Sequence, residues 1–159
     1  MTVPAAILRQ FDQGVKDTLL SMTGLRVVRR DAWIKEGHAM YGDVSGVIGL
    51  SGVVRGTCAL SMASDLARDL VRRMLGGEEG SPVSETDTRD GIGELVNMTA
   101  GRAKALLQDT PYKFDITLPT IITGAGHEVY RRQDTPCLNF LYETETGARF
   151  VLDLAIAVD

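Results

Sequence analysis

The sequence predicts an α+β domain in which three helices pack on a mainly antiparallel sheet. Three segments carry apolar residues at helical spacing, and several shorter runs rich in Val, Ile and Thr are bounded by glycine or proline, as is typical of strands. A helix, a hairpin, two helices and then a series of strands favour antiparallel pairing over an alternating α/β fold. Because 159 residues are about the size of one ordinary domain, we interpret residues 1–159 as a single domain.

The first element is a helix between Pro4 and Met22, because apolar residues recur there at intervals of three and four. Gly24 follows this helix as a stop signal. From Gly42 to Ala63, short runs of Val, Ile, Leu and Ser are interrupted by glycines. This pattern predicts a hairpin of two strands that turn near Gly52 to Gly56.

Two further helices follow the hairpin. A short helix is predicted from Leu66 to Leu75, and Ser64 is typical of the residue that caps such a helix. A long helix then starts at Ser84 or Thr86 and continues to about Gln108.

The remaining β-branched runs predict the strands that complete the sheet, which are Ile116 to Thr123, Glu128 to Arg132, Cys137 to Thr144 and Arg149 to Val158. The last strand alternates, with large apolar residues at Phe150, Leu152 and Leu154 and smaller residues between them. We therefore expect this strand to bury one of its two sides.

Composition and charge exclude several functional classes. The formal net charge of -4 argues against binding nucleic acid through neutralised phosphates. The chain has no basic and apolar leader and no run of about 20 apolar residues, so we expect a cytoplasmic protein without membrane insertion. Cys58 and Cys137 lie among apolar neighbours and predict buried free thiols. Since His38 and His127 have no partners at ligand spacing, we expect no metal held by this chain.

Two other kinds of site are not expected. The glycine-rich run from Gly42 to Gly56 lacks the spacing and the terminal Lys-Ser or Lys-Thr of a phosphate-binding loop. Ser45, Ser51, Ser61 and Ser64 have no combined His and Asp arrangement nearby in the sequence, so the catalytic triad of a serine hydrolase would need distant segments to assemble. His127 is interpreted as a surface histidine in a turn.

The long helix presents two different faces. Its apolar residues fall on one side, towards the predicted core. A second side forms an exposed stripe that combines carboxylates, an amide, a glycine and a basic residue. Its members are Asp90, Glu94, Asn97, Gly101 and Lys104. From spacing alone, the stripe is more typical of a solvated helix face than of a functional site, since a Glu and an Asn three residues apart are common on amphipathic helices. Asp90 and Lys104 also suit the helix dipole, acidic early and basic late.

Three segments of the sequence resemble the chemotaxis phosphatases CheX, CheC and FliY. They read IGLSGVVRGTCALSM from Ile48, GELVNMTAGRAK from Gly93 and ITLPTIITG from Ile116, and the resemblance extends from about Met40 to Val158. CheC and FliY characteristically carry two helices with the E-x-x-N pattern, whereas CheX carries one. The first helix here has no second Glu and Asn pair, so the chain is most similar to CheX.

The resemblance implies an enzyme that hydrolyses the aspartyl phosphate of a CheY-type response regulator. It implies that Asn97 positions the attacking water and that Glu94 pairs with a lysine of the regulator's active site. The Mg²⁺ that neutralises the phosphoryl group would belong to the regulator, and no cofactor would be held by this chain. Asp90, Gly101 and Lys104 would be candidates for contacting the partner.

Two further expectations follow from the resemblance. A homodimer is expected, formed through an open edge of the terminal strands. The alternative to an enzyme is a module without catalytic activity that binds a phosphorylated receiver, or a flagellar or signalling assembly, through the same helix face. The presence of both Glu94 and Asn97 favours the enzyme.

Overall fold

The computed structural model describes residues 3–159, and within them three helices and seven strands form one α+β unit. In chain order the elements are α1 (Ala5–Thr23), β1 (Val27–Ile34), β2 (Val44–Gly52), β3 (Val54–Met62), α2 (Ser64–Met74), α3 (Glu85–Leu107), β4 (Phe114–Ile116), β5 (Thr120–Thr123), β6 (Cys137–Thr144) and β7 (Arg149–Val158). The predicted fold class is confirmed.

The helix boundaries follow the capping signals in the sequence. Gly24 ends α1 in the left-handed conformation, at φ 76°, and its N–H donates to the Leu20 carbonyl. Ser84 caps α3, because its hydroxyl accepts a hydrogen bond from the Asp87 N–H at 3.0 Å. Ser64, expected to cap α2, is instead its first residue.

All strand pairs are antiparallel, in the order β1-β6-β7-β3-β2-β4 across the sheet, and β5 pairs with a second stretch of β2. Both terminal strands are therefore interior: β6 lies between β1 and β7, and β7 lies between β6 and β3. The expectation that two copies pair through an open edge of the terminal strands is wrong, because neither strand has an unpaired edge. The free edges of the sheet belong to β1 on one side and to β4 and β5 on the other.

One face of the sheet carries the helices. Residues of all three helices share an apolar core with β2, β3, β6 and β7. A Cβ at Gly46 in β2 would lie 3.1 Å from Ile92 and 3.2 Å from Val96, so the missing side chain allows α3 to approach the sheet closely. This close packing fixes which side of α3 faces solvent.

The opposite face of the sheet is also buried, contrary to the expectation for the last strand. Phe150 and Leu152 pack into the helix-side core, but Val151 and Asp153 between them are buried as well. The chain segments 35–41 and 124–136 cover this face, joined by hydrogen bonds such as that from the Met40 N–H to the His127 carbonyl. The predicted strand from Glu128 to Arg132 is wrong: it belongs to this covering layer and forms only an isolated bridge.

The predicted strand from Ile116 to Thr123 is divided into β4 and β5. Its register on β2 passes from Leu50 opposite Ile116 to Val47 opposite Thr120, so three residues, 117–119, face only two residues of β2. The extra residue makes a bulge, and Pro119 has no N–H with which to continue the ladder. The sequence patterns also gave no indication of β1, whose charged middle section lies exposed at the sheet edge.

Candidate functional site

The helix α3 presents the predicted stripe to solvent. Asp90 and Glu94 are exposed, and Asn97, Gly101 and Lys104 are partly exposed, whereas Ile92, Leu95, Val96 and Ala103 are buried. Leu106, which the spacing also assigned to the apolar side, is 45% exposed near the end of the helix. The three-residue spacing between Glu94 and Asn97 thus places both side chains on one accessible helix face.

A shallow depression of about 330 Å³ lies beside this part of α3. The helix contributes Arg89, Asp90, Gly93, Glu94 and Asn97, and the sheet side contributes residues at the start of β5 and before it, which are Leu118, Pro119 and Ile121. A Cβ at Gly93 would lie 3.5 Å from Pro119, so the bulge and the helix are in close contact at the base of the depression.

The polar side chains in the depression are free for an external partner. Within residues 3–159, Glu94, Asn97, Asp90 and Arg89 form no side-chain hydrogen bond and no ion pair. A carboxylate that only accepts hydrogen bonds therefore lies one helical turn from an amide that both donates and accepts.

Lys104 and Gly101 lie outside the depression. The Lys104 ammonium is 3.1 Å from the Asp115 carboxylate in β4, and both residues line a neighbouring cleft of about 480 Å³ with Gln108 and Lys113. Gly101 has open space where a Cβ would point. The structure therefore gathers Asp90, Glu94 and Asn97 into one depression and leaves the other two predicted positions further along the helix.

The glycines of α3 have different roles. A Cβ at Gly91 would lie 2.4 Å from Val71, so this position is required for the packing of α3 against α2. At Gly93 a Cβ would lie 3.5 Å from Pro119, which is an ordinary contact distance, so the bulge touches this position without requiring glycine. Among the glycines of this helix, only Gly101 leaves room for another chain to approach.

Four residues of the depression were missed by the sequence patterns. Leu118, Pro119 and Ile121 lay inside a predicted strand, and Arg89 was not distinguished from other helix charges. Pro119 was the available signal, because proline inside a β-branched run indicates an edge strand or a bulge. Only the pairing of β4 and β5 with β2 in the structure shows that the bulge lies beside Glu94 and Asn97.

Covalent catalysis by the serine and cysteine residues discussed above is not supported. His127 Nε2 lies 2.8 Å from Ser45 Oγ, which the sequence did not lead us to expect, but Ser45 is 0% exposed. Burial raises the pKa of the Cys58 thiol far above its ordinary range and that of Cys137 to about 12, so both predicted buried thiols stay protonated near neutral pH.

Two negative findings apply to residues 3–159. In this part of the chain, no group of three or more His, Cys, Asp or Glu residues has the geometry to hold a metal ion. No helix within the same residues combines the length and the apolar character that crossing a bilayer requires.

Comparison with known proteins identifies related sequences. Residues 44–143 match the family model for the chemotaxis phosphatase CheX. The CheY-P phosphatase CheX of Thermotoga maritima is 38% identical over 78 residues, which are 49% of this chain and 50% of that protein. The matched region thus spans about half the length of this curated relative.

Solved structures extend the similarity to nearly the whole chain. The chemotaxis protein CheX from Vibrio vulnificus is 27% identical with a TM-score of 0.81, covering 96% of this chain and 100% of that one. The fold is also shared with the CheX–CheY–BeF3–Mg²⁺ complex from Borrelia burgdorferi, at 20% identity and a TM-score of 0.78, covering 94% of this chain and 97% of that one.

Proposed function

The chain belongs to the CheX family of chemotaxis phosphatases, and we propose that it hydrolyses the aspartyl phosphate of a CheY-type response regulator. The Thermotoga maritima relative is a CheY-P phosphatase, which supports this substrate class. The observation that carries the proposal is the joint placement of Glu94 and Asn97 in one accessible depression, with neither side chain paired inside the chain. Both groups are therefore available to a phosphorylated partner that covers the depression.

In the proposed reaction, Asn97 positions the attacking water. The water oxygen bonds to phosphorus while the bond from phosphorus to the aspartyl oxygen breaks, which releases inorganic phosphate and restores the regulator's carboxylate. Positioning and charge stabilisation supply most of the catalysis in phosphoryl transfer. The Asn97 amide can hold a water from two sides, and it does not titrate near neutral pH.

Glu94 requires a cation on the partner. Two anions in a partly dehydrated interface repel each other, so a carboxylate beside a phosphoryl group is favourable only when a positive charge lies near it. We assign that charge to a lysine of the regulator's active site. Mg²⁺, also placed on the regulator, would neutralise the phosphoryl group.

The proposed partner is a phosphorylated CheY-type receiver. The Borrelia burgdorferi relative, which has the same fold, forms a complex with CheY in the presence of BeF3 and Mg²⁺, so this fold can dock on such a protein. A homodimer and a cytoplasmic location remain part of the proposal. Among the free sheet edges, β1 exposes Val28, Trp33 and Ile34 and is the edge that we propose for pairing of two copies.

The decisive experiment is single-turnover loss of phosphate from a purified phosphorylated CheY-type receiver. We expect the protein to accelerate this loss. The Asn97→Ala variant should lose roughly 100-fold or more of the stimulated rate, as when one positioned polar group is removed from an active site, while its affinity for the receiver is largely kept. Gln108→Ala is the matched control, since it removes an exposed amide from the end of the same helix outside the depression.

Two results would contradict the proposal in different ways. Full activity of Asn97→Ala would remove the water-positioning role from this residue. Tight binding of the receiver by the wild-type protein without faster phosphate loss would instead identify a binding module. Glu94→Ala should both slow the reaction and weaken binding, because its carboxylate meets the partner directly.

A further inference from the structure

Leu118 is an unusually exposed apolar residue beside the candidate site. Its side chain is 88% exposed, the highest value among the large apolar residues that the structure describes as exposed. Single exposed leucines are common on protein surfaces, so exposure alone indicates nothing. The position matters more, because Leu118 lines the same depression as Glu94 and Asn97.

The backbone on both sides of Leu118 is held in place. Thr117 precedes it, and the Thr117 N–H donates to the Gly49 carbonyl at 3.0 Å while the Thr117 hydroxyl accepts from the Gly49 N–H at 2.8 Å. Pro119 follows it and packs against Gly93 of α3. Leu118 is therefore presented at the tip of the bulge between two anchored residues.

We propose that Leu118 is the apolar anchor on which the phosphorylated receiver docks, an inference that rests on the proposed function. The occupant follows from geometry. Asn97 can reach a phosphoryl group on the partner only if the partner covers the depression, and Leu118 forms part of that depression. A receiver placed over Asn97 consequently buries Leu118.

The surroundings of Leu118 have the layout of a small protein interface. The apolar Leu118 lines the depression from the sheet side, and the charged residues Arg89 and Asp90 line it from the helix side. Interfaces commonly combine an apolar centre with a polar rim. Because the backbone on both sides of Leu118 is already held, docking orders less of the chain than it would at a mobile loop.

The role assigned to Leu118 is affinity, not chemistry. Its side chain has no group that could hold water or stabilise charge, so it acts on the formation of the complex. Removing it should raise the dissociation constant and leave the maximal rate of the saturated complex unchanged.

The test compares Leu118→Ser with Leu118→Met and Leu75→Ser. Leu75 is also exposed, at 63%, but it lies at the end of α2 and outside the depression. Binding is measured to a purified CheY-type receiver loaded with BeF3 and Mg²⁺. Single-turnover phosphate loss is measured separately, on the phosphorylated receiver, with each variant at a concentration that saturates the receiver. We expect roughly ten-fold weaker binding for Leu118→Ser, as for loss of a buried leucine, and near wild-type binding for the other two variants.

The outcomes separate this inference from the proposed function. A dissociation constant of Leu118→Ser equal to that of the wild type overturns the anchor, even if phosphate loss is accelerated as proposed. Receiver binding that depends on Leu118 without faster phosphate loss supports the anchor and contradicts the phosphatase. If sedimentation shows instead that Leu118→Ser weakens self-association while receiver binding is unchanged, the occupant is a second copy and the inference fails.

Discussion

In the described part of the chain, polar side chains are partly or fully exposed and unpaired in the depression on α3, whereas they are buried and paired on the covered second face of the sheet. On α3, Glu94 and Asn97 have no partner within residues 3–159. Beneath the covering segments, by contrast, the Asp153 carboxylate accepts hydrogen bonds from Lys35 at 2.8 Å and from Asn139 at 3.0 Å, and the Cys137 thiol lies 3.3 Å away. These polar groups are all buried and all paired.

A second cluster, in which Ser45 and Ser61 are buried, is paired in the same way. His127 Nδ1 lies 2.8 Å from the Gly124 carbonyl, and His127 Nε2 lies 2.8 Å from the Ser45 hydroxyl oxygen. Ser61 in turn lies 2.8 Å from Ser45 and accepts from the Gly42 N–H. His127, interpreted from the sequence as a surface histidine, is partly exposed, and its ring also contacts the buried Ser45.

The difference separates residues that serve the fold from residues that are available for function. Buried polar groups are generally paired, because leaving one unpaired costs free energy; Thr18 Oγ1 and His38 Nδ1 are exceptions among the described residues. An exposed polar group is hydrated by water, so it avoids this cost and remains available to bind a partner. The comparison predicts that substitutions in the covered layer lower stability, whereas substitutions of the free groups on α3 change activity alone.

The largest expected effect on stability is that of Asp153→Ala. This change leaves the buried Lys35 ammonium without its counter-ion, and breaking a buried pair from one side typically costs about 3–5 kcal/mol of unfolding free energy. Urea denaturation measures the loss as a shift of the midpoint. Asp90→Ala is the matched control, because it removes an unpaired, exposed aspartate and should change stability by less than about 0.5 kcal/mol.

A smaller effect separates two glycines of the same helix. In Gly91→Ala the new methyl group would lie 2.4 Å from Val71, so overpacking should destabilise the protein by about 1–2 kcal/mol despite the better helix propensity of alanine. In Gly101→Ala the methyl group has open space, so the same propensity should stabilise the protein by up to about 1 kcal/mol. Thermal unfolding of both variants gives the two signs directly.

Gly101→Ala also tests whether the partner approaches that position. Weaker receiver binding by this more stable variant would place the partner's surface against Gly101. Unchanged binding would confine the contact to the depression. Equal destabilisation by both substitutions would contradict the distinction between the packed and the open glycine.

Features that depend on residues close in the sequence were predicted well. Ser84 and Gly24 act on their own helices, so the helix ends were found to within a residue or two. Glu94 and Asn97 share a face because of their spacing on one helix. The hairpin was also found, since Gly52 lies at the turn between its strands.

Features that depend on residues distant in the sequence were not predicted. Leu118 lies beside Asn97 only because β4 and β5 pair with β2 beneath α3. The bond between His127 and Ser45 joins segments that are 82 residues apart. The burial of Asp153 likewise requires a covering layer that no local pattern indicates. The alternation of large and small residues in the last strand was therefore interpreted as that of a strand with one exposed side.

The smallest expected effect concerns Asp43, a paired carboxylate near the surface. Its side chain accepts from the Ser64 hydroxyl at 2.6 Å and from the Ser64 N–H at 2.7 Å, which satisfies an otherwise free donor at the start of α2. The hydrogen bond from the Ser64 hydroxyl lowers the pKa of Asp43 below its ordinary value of 3.8. Asp43→Asn should therefore cost about 1 kcal/mol near neutral pH, the usual size of a capping interaction.

The pH dependence of the stability lost in Asp43→Asn tests whether the charge of Asp43 stabilises the fold, as expected for a paired carboxylate. A carboxyl group whose pKa is lower in the folded state stabilises the protein fully above its unfolded pKa, and the stabilisation is lost as the pH falls through the folded pKa. The stability difference between the wild type and Asp43→Asn should thus be constant above about pH 5 and shrink below pH 3.8, where the aspartate becomes neutral like asparagine. Ser64→Ala removes the main cause of the shift, so the same comparison in that background should show a smaller difference. A difference that stays constant down to pH 2 would mean that the charge of Asp43 does not contribute, and that this residue behaves like the unpaired groups of α3.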